Sequence, residues 1–226
     1  MKSETTEAIV LRRTNYGEAD RIIHFSTPLG RRSAMARGVR KSRSKLAGGV
    51  ELLSLSQVVL RHGRGEISTL VQARMIKFYK NILDNYDKLQ FAYEAMKMVV
   101  YSSEIIDEPE WFNILKETLE ALNNKTVNFA LIKTWFYLNY AKLLGNELSL
   151  VSDVSGQALS QNRRYIYDKI EHGLRHSGRG EITADHIKLL RLMSNYPLRV
   201  VMQVGGIEGI LPDCWLIARS HTELNK

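Results

Sequence analysis

Apolar positions recur at every second residue over the first 80 residues and at every third or fourth residue after that. The pattern predicts a series of short strands followed by helices. Residues 7–14 set Ile9 and Leu11 on one face and Val10 on the other, and residues 21–26 alternate Ile22, His24 and Ser26 with Ile23 and Phe25. Pro28 and Gly30 supply a turn. Further strands are predicted over 31–38, 54–61 and 67–77, with Gly63-Arg64-Gly65 breaking the last two like a hairpin. Five short strands fit a small closed barrel. The OB-fold is the commonest five-stranded type, and an SH3-like barrel would also accommodate the pattern.

Beyond Lys80 the helical spacing takes over. Leu89, Ala92, Met96 and Val99 share one face, and Trp111, Leu115, Leu119 and Leu122 share another behind Pro109, a residue suited to a helix start. Residues 126–144 are apolar almost all round, which predicts the central buried helix of a bundle. Residues 145–180 carry little pattern. A helix is expected from Thr183 to Asn195, ahead of Pro197, and two short segments, 198–204 and 212–221, close the chain. The expected class is α+β with two domains: a five-stranded OB-fold barrel over 1–80 and a mostly α-helical domain over 81–226. The similar heptapeptides at 62–68 and 177–183 have different flanks and are a chance recurrence of a turn sequence.

Charge changes this picture most. The net charge is +8, yet residues 1–80 hold 16 Lys/Arg against 6 Asp/Glu while residues 81–226 hold 16 against 18. A basic module joined to a nearly neutral one points to a polyanion as ligand. No apolar run approaches the roughly 20 residues of a membrane span, and MKSETTEAIV has no secretory core. A cytoplasmic protein is expected. The single cysteine, Cys214, rules out a disulfide within the chain and reads as a buried structural thiol.

Catalytic signatures are missing. There is no GxxxxGK[ST], GxGxxG, GxSxG or HExxH, so no enzyme activity and no cofactor are expected. Asp168, His172 and His176 would align on a helix face at spacing four and four, but Gly173 interrupts that helix and no fourth ligand is evident. The informative segment is GRRSAMARGVRKSRSK, residues 30–45, with Arg31, Arg32, Arg37, Arg40, Lys41, Arg43 and Lys45 and no acid. Its second half is expected to be a flexible basic loop. Only Tyr16, Phe25, Phe78 and Tyr79 are aromatic in the barrel region, so phosphate neutralisation should outweigh base stacking.

The stretch from Tyr16 to Ser54 resembles the N-terminal signature of the RecO family of bacterial DNA repair proteins. The matching residues are Tyr16-Gly17-Glu18-Ala19-Asp20, Thr27, Gly30, Ala36-Arg37-Gly38-Val39-Arg40 and Ser44-Lys45-Leu46-Ala47-Gly48. The resemblance implies an N-terminal OB-fold, a helical C-terminal domain and a recombination mediator. Such a mediator binds single- and double-stranded DNA and anneals complementary strands. With RecR it helps to load RecA on DNA coated by single-strand-binding protein (SSB), whose acidic C-terminal tail it contacts through the helical domain. DNA contacts are then expected at Arg31, Arg37, Arg40, Lys41, Arg43 and Lys45, with Arg13, Arg61 and Arg64 as a second group. Lys133, Lys142, Arg191 and Arg199 are the cations offered for the SSB tail. Many relatives carry two CxxC pairs in the region matching 145–180; this chain has none there, so no metal is expected. Two other classes fit the charge and barrel alone: an OB-type RNA-binding factor, and, against the missing carboxylate cluster, a nuclease.

Overall fold

The computed structural model describes residues 2–223. Contacts group the chain into two compact units, one up to Asn123 and one from Asn124 onward.

In the first unit, β1 (Ser3–Tyr16), β2 (Asp20–Thr27), β3 (Gly30–Ala36), β4 (Ser54–Arg61) and β5 (Ser68–Phe78) close into a barrel in the order β1-β2-β3-β5-β4. All neighbours are antiparallel except β3 and β5. That order, with its one parallel closure, is the five-stranded Greek-key barrel of the OB-fold. Ala8, Val10, Ile23, Phe25, Ala34, Ala36, Val58, Leu60, Leu70 and Ala73 fill it, joined by Val39 and Val50 from the β3–β4 connection. A bulge between Val10 and Arg12 shifts the alternation of β1. Arg12 therefore lies opposite His24 on the exposed outer face. Two helices follow, α1 (Tyr86–Ile105), capped by the Asn85 side chain accepting from the Lys88 N–H, and α2 (Glu110–Asn123).

The second unit is built on α3 (Phe129–Leu143), buried along most of its length. It packs on α4 (Ala184–Asn195) and α6 (Leu211–Glu223), with a short α5 (Leu198–Val201) between them. Phe136 stacks on Tyr140, and Tyr137 tilts against Trp215. Cys214 is buried in α6 and its thiol is pushed up to about 12, chiefly by burial. The weakly patterned stretch contains a hairpin, β6 (Tyr165–Asp168) with β7 (Gly173–His176).

His221 ties the end of α6 to that region. Its ring is 1% exposed; Nδ1 lies 2.9 Å from the Tyr167 hydroxyl and Nε2 2.9 Å from the Asn146 carbonyl. The neutral tautomer with the proton on Nε2 satisfies both, donating to Asn146 and accepting from Tyr167. Burial first, then the nearby His172, holds its pKa below the ordinary 6.5. Because the unfolded chain binds this proton more readily, the contribution is complete above pH 6.5 and declines as pH falls below it. The melting temperature should drop on acidification through that range, and His221→Gln should flatten the dependence. An unchanged profile in the variant would remove His221 as its origin.

Candidate nucleic-acid interface

Strands β1, β3 and β5 run one way and β2 and β4 the other, so the β1–β2 turn and the β3–β4 connection gather at one end of the barrel. The β2–β3 and β4–β5 turns gather at the opposite end. This geometry separates the cations that the sequence offers as one run.

The run 37–45 sits at the first end, and it is a series of turns rather than a loose loop. The Gly38 N–H donates to Asp20 Oδ1 (2.7 Å), the Arg40 N–H to the Ala19 carbonyl (2.9 Å), and the Arg40 guanidinium to the Gly17 carbonyl (3.1 Å). Gly17 and Gly38 take φ of +56° and +63°, a region where glycine escapes the Cβ penalty. Val39 is buried, and turns close from Lys41 N–H to Gly38 and from Ser44 N–H to Lys41. The YGEAD turn and the ARGVR stretch thus clamp one another. Arg37, Lys41, Arg43 and Lys45 are left exposed, with no ion pair or side-chain hydrogen bond to any described residue. Five cations, counting Arg40, form a ridge on a fixed backbone. The expectation of a flexible loop misses this because a single buried valine has no periodicity.

Arg31 lies at the other end of β3, where it pairs with Glu104 of α1 at 3.0 Å. There the Thr27 hydroxyl donates to the Gly30 carbonyl, and the Arg31 N–H donates to the Asp107 carboxylate (2.6 Å). Gly30, at φ +89°, leaves room for that carboxylate, which a Cβ would meet at 2.8 Å. Of the second group, Arg13 already pairs with Glu51 at 2.7 Å, while Arg61 and Arg64 are exposed beside the β4–β5 turn. The outer face of β1–β3 between the two ends carries Arg12, His24, Ser33 and Met35. His24 meets Ser33 at 2.9 Å, and its pKa is lowered by burial and then by Arg31 and Arg12. Arg12 is among the cations that sequence reasoning omits; the bulge that turns it outward leaves no mark in the alternation.

In the second unit, Lys133 lies over the Trp215 and Phe129 rings at 4.1 and 4.7 Å. Lys142 pairs with Glu147 at 2.9 Å, and Arg191 donates twice to the Leu150 carbonyl. Three of the four tail candidates therefore already hold local structure; Arg199 is exposed.

Residues 145–180 do not bring together a set of metal ligands. Asp168 and His176 sit at opposite ends of a hairpin rather than on one helix face, with His172 in its turn. Asp168 is engaged with Arg175 and its own turn, and among the described residues no three His, Cys, Asp or Glu side chains converge. Order comes instead from Asp153 Oδ1, which accepts from the Ser155 N–H and hydroxyl and from the Gln157 N–H, and from β-bridges such as Tyr165 to Ile182. Purified protein is expected to contain no stoichiometric zinc, and EDTA should leave its melting temperature unchanged. About one zinc per chain by elemental analysis would overturn this.

A closed OB barrel with a fixed cationic ridge at one end has the architecture found among barrel modules that bind nucleic acid. Comparison with known proteins narrows the class. Residues 1–79 match the family described as Recombination protein O N terminal, and residues 84–204 match Recombination protein O C terminal. The chain belongs to the RecO family. Proteins named DNA repair protein RecO resemble it in Dehalococcoides mccartyi strain CBDB1 (39% identity over 53% of this chain and 47% of the relative) and Roseiflexus sp. strain RS-1 (36% over 52% and 42%). The one from Alkaliphilus metalliredigens strain QYMF is 30% identical over 71% of this chain and 66% of its own length. The matched stretch spans about half the length of the first two relatives. Among the described residues no helix is long and apolar enough to cross a membrane.

Proposed function

We propose that this protein is a DNA-binding recombination mediator in repair, without enzymatic activity. It binds single- and double-stranded DNA through the barrel, anneals complementary strands, and with RecR helps to load RecA on SSB-coated single strands in the nucleoid. The observation that carries the reading is the ridge at 37–45: Arg37, Lys41, Arg43 and Lys45 project from an anchored backbone with no acidic partner. Phosphates supply the missing counter-charge whatever the base sequence. Family membership adds support, since the relatives are named for DNA repair. Arg40 and Arg31 contribute charge while holding the turn and α1, and Arg61 and Arg64 extend the track at the far end. The SSB tail, acidic and apolar, is assigned to the helical domain 81–226, with Arg199 the best placed of its cations and Lys133, Lys142 and Arg191 secondary.

Fluorescence anisotropy with labelled single-stranded DNA, duplex DNA and RNA of equal length tests the reading. Both DNA forms should bind, with log K falling linearly against log salt, and unlabelled RNA should compete poorly. Preference for RNA would favour an OB-type RNA-binding factor. Cleavage of the labelled strand in magnesium or manganese would instead show a nuclease. Failure of SSB tail peptide to bind the full chain would remove the tail assignment alone.

A further inference from the structure

The largest cavity described in the first unit, about 480 Å³, lies between β1 and α1. Leu11, Leu52 and Met96 line it with Arg12, Lys97, Tyr93 and Tyr101. Its volume falls in the range of sites that hold organic ligands.

Helix α1 accounts for the aromatic side. Phe91, Ala92, Ala95, Met96 and Val99 turn one stripe into the core. At 100° per residue, Tyr86, Tyr93, Lys97 and Tyr101 fall together on another stripe. The three tyrosines are 71%, 44% and 64% exposed. Such a stripe on a solvated helix ordinarily carries Glu, Lys or Gln, and aromatic rings gain nothing there unless something covers them. Tyr93 and Tyr101 are two helical turns apart, about 12 Å along the axis, so each ring can take its own partner.

The groove is also cationic. Arg12 and Lys97 have no ion pair with a described residue, and the one carboxylate in the lining, Glu104, is answered by Arg31 at 3.0 Å. Arg12 belongs at the same time to the outer face of β1–β3, opposite His24. Exposed rings interleaved with unpaired cations beside an OB face are the arrangement that stacks unpaired bases while neutralising their phosphates.

We propose that the β1–α1 groove seats unpaired nucleobases of single-stranded nucleic acid, stacked on Tyr93 and Tyr101 with flanking phosphates on Arg12 and Lys97. The proposal rests on the nucleic-acid-binding reading and deepens it. The ridge holds any phosphate backbone, single or double, whereas the groove takes only a base that has left its pair. It gives the protein a grip on single strands beyond charge.

An oligo-dT strand and an abasic strand of equal length carry the same phosphates but differ in bases. Both should be titrated against the full-length protein at one salt concentration and across a salt series. Wild-type protein should prefer oligo-dT by at least about fivefold, since stacking on one ring contributes about 5- to 100-fold per base. Tyr93→Ala/Tyr101→Ala should erase that preference while leaving abasic affinity and salt slope unchanged, and Tyr93→Phe/Tyr101→Phe, which keeps both rings, should retain it. The phenylalanine pair guards against loss through misfolding, as does an unchanged melting temperature in the alanine pair. Equal binding of both strands by wild-type protein would overturn the groove and leave the ridge standing. So would an alanine pair that keeps oligo-dT affinity, or one that loses only an acidic apolar peptide. Failure of both strands to bind would overturn the nucleic-acid reading itself.

Discussion

Gly49→Ala is expected to destabilise the barrel by about 3 kcal/mol or more, at the upper end of the range for overpacking a filled core. Gly49 lies in the 3-10 turn Ala47–Gly49, buried against β5. A Cβ there would sit 2.4 Å from the Ala73 carbonyl carbon, 2.5 Å from its oxygen and 2.6 Å from its own Cβ. These are strand atoms, with no flexible side chain to swing aside, so either the turn lifts off or β5 bends. Lifting the turn also draws on Val50, which is buried in the barrel core. Thermal unfolding should show a loss on the order of 10 °C or more for a unit of this size. Gly48→Ala is the control. Gly48 ends the Ser44–Gly48 stretch that resembles the family signature, yet it is exposed, and a Cβ added there would meet nothing within 4 Å. Its replacement should shift stability by no more than about 0.5 kcal/mol. A Gly49→Ala protein melting with the wild type would show that the turn does not pack as described.

The contrast between these adjacent glycines shows what the sequence carries and what it withholds. Alternation marked each of the five strands, and β4 runs over 54–61 as expected. It did not mark the first residues of β1, because Ser3, Glu4 and Thr5 are polar; they pair with Arg61, Leu60 and Val59, and the Glu4 carboxylate also accepts from Arg32. The β6–β7 hairpin was unreadable for a related reason. Each strand is four residues long with one buried apolar side chain apiece, Tyr165 and Leu174, too few to show a period, and the hairpin is tied in by main-chain bonds from Val154 N–H to the Leu174 carbonyl and between Tyr165 and Ile182. Charge on 1–80 pointed to a polyanion, but its division between two barrel ends follows from closure through the parallel β3–β5 pair, a contact between segments some 34 residues apart. The tyrosines of α1 were passed over because helical periodicity identifies the buried face and says nothing of what its complement is for.

Neutralising the ridge should produce the largest loss of binding. Arg37→Ala, Lys41→Ala, Arg43→Ala and Lys45→Ala together remove four exposed cations while sparing Arg40, whose guanidinium holds the Gly17 turn, and Val39, which anchors the run. If wild-type protein neutralises about four to six phosphates, log K on single strands should fall with slope roughly −3 to −4 against log salt. Losing four contacts should flatten the slope by about 2.8, to between about 0 and −1. Since the two lines meet near 1 M salt, where counterion release contributes nothing, the affinity loss at 0.1 M is about 10²- to 10³-fold. All base sequences should suffer alike, and duplex at least as much, because its slope per contact is steeper. Annealing should slow in parallel, since two strands approaching each other repel through the phosphates these side chains screen. The melting temperature should hardly move, as none of the four side chains touches the core. A fourfold variant that keeps its slope and its annealing rate would place the phosphate track elsewhere, on the outer face of β1–β3 where Arg12 stands.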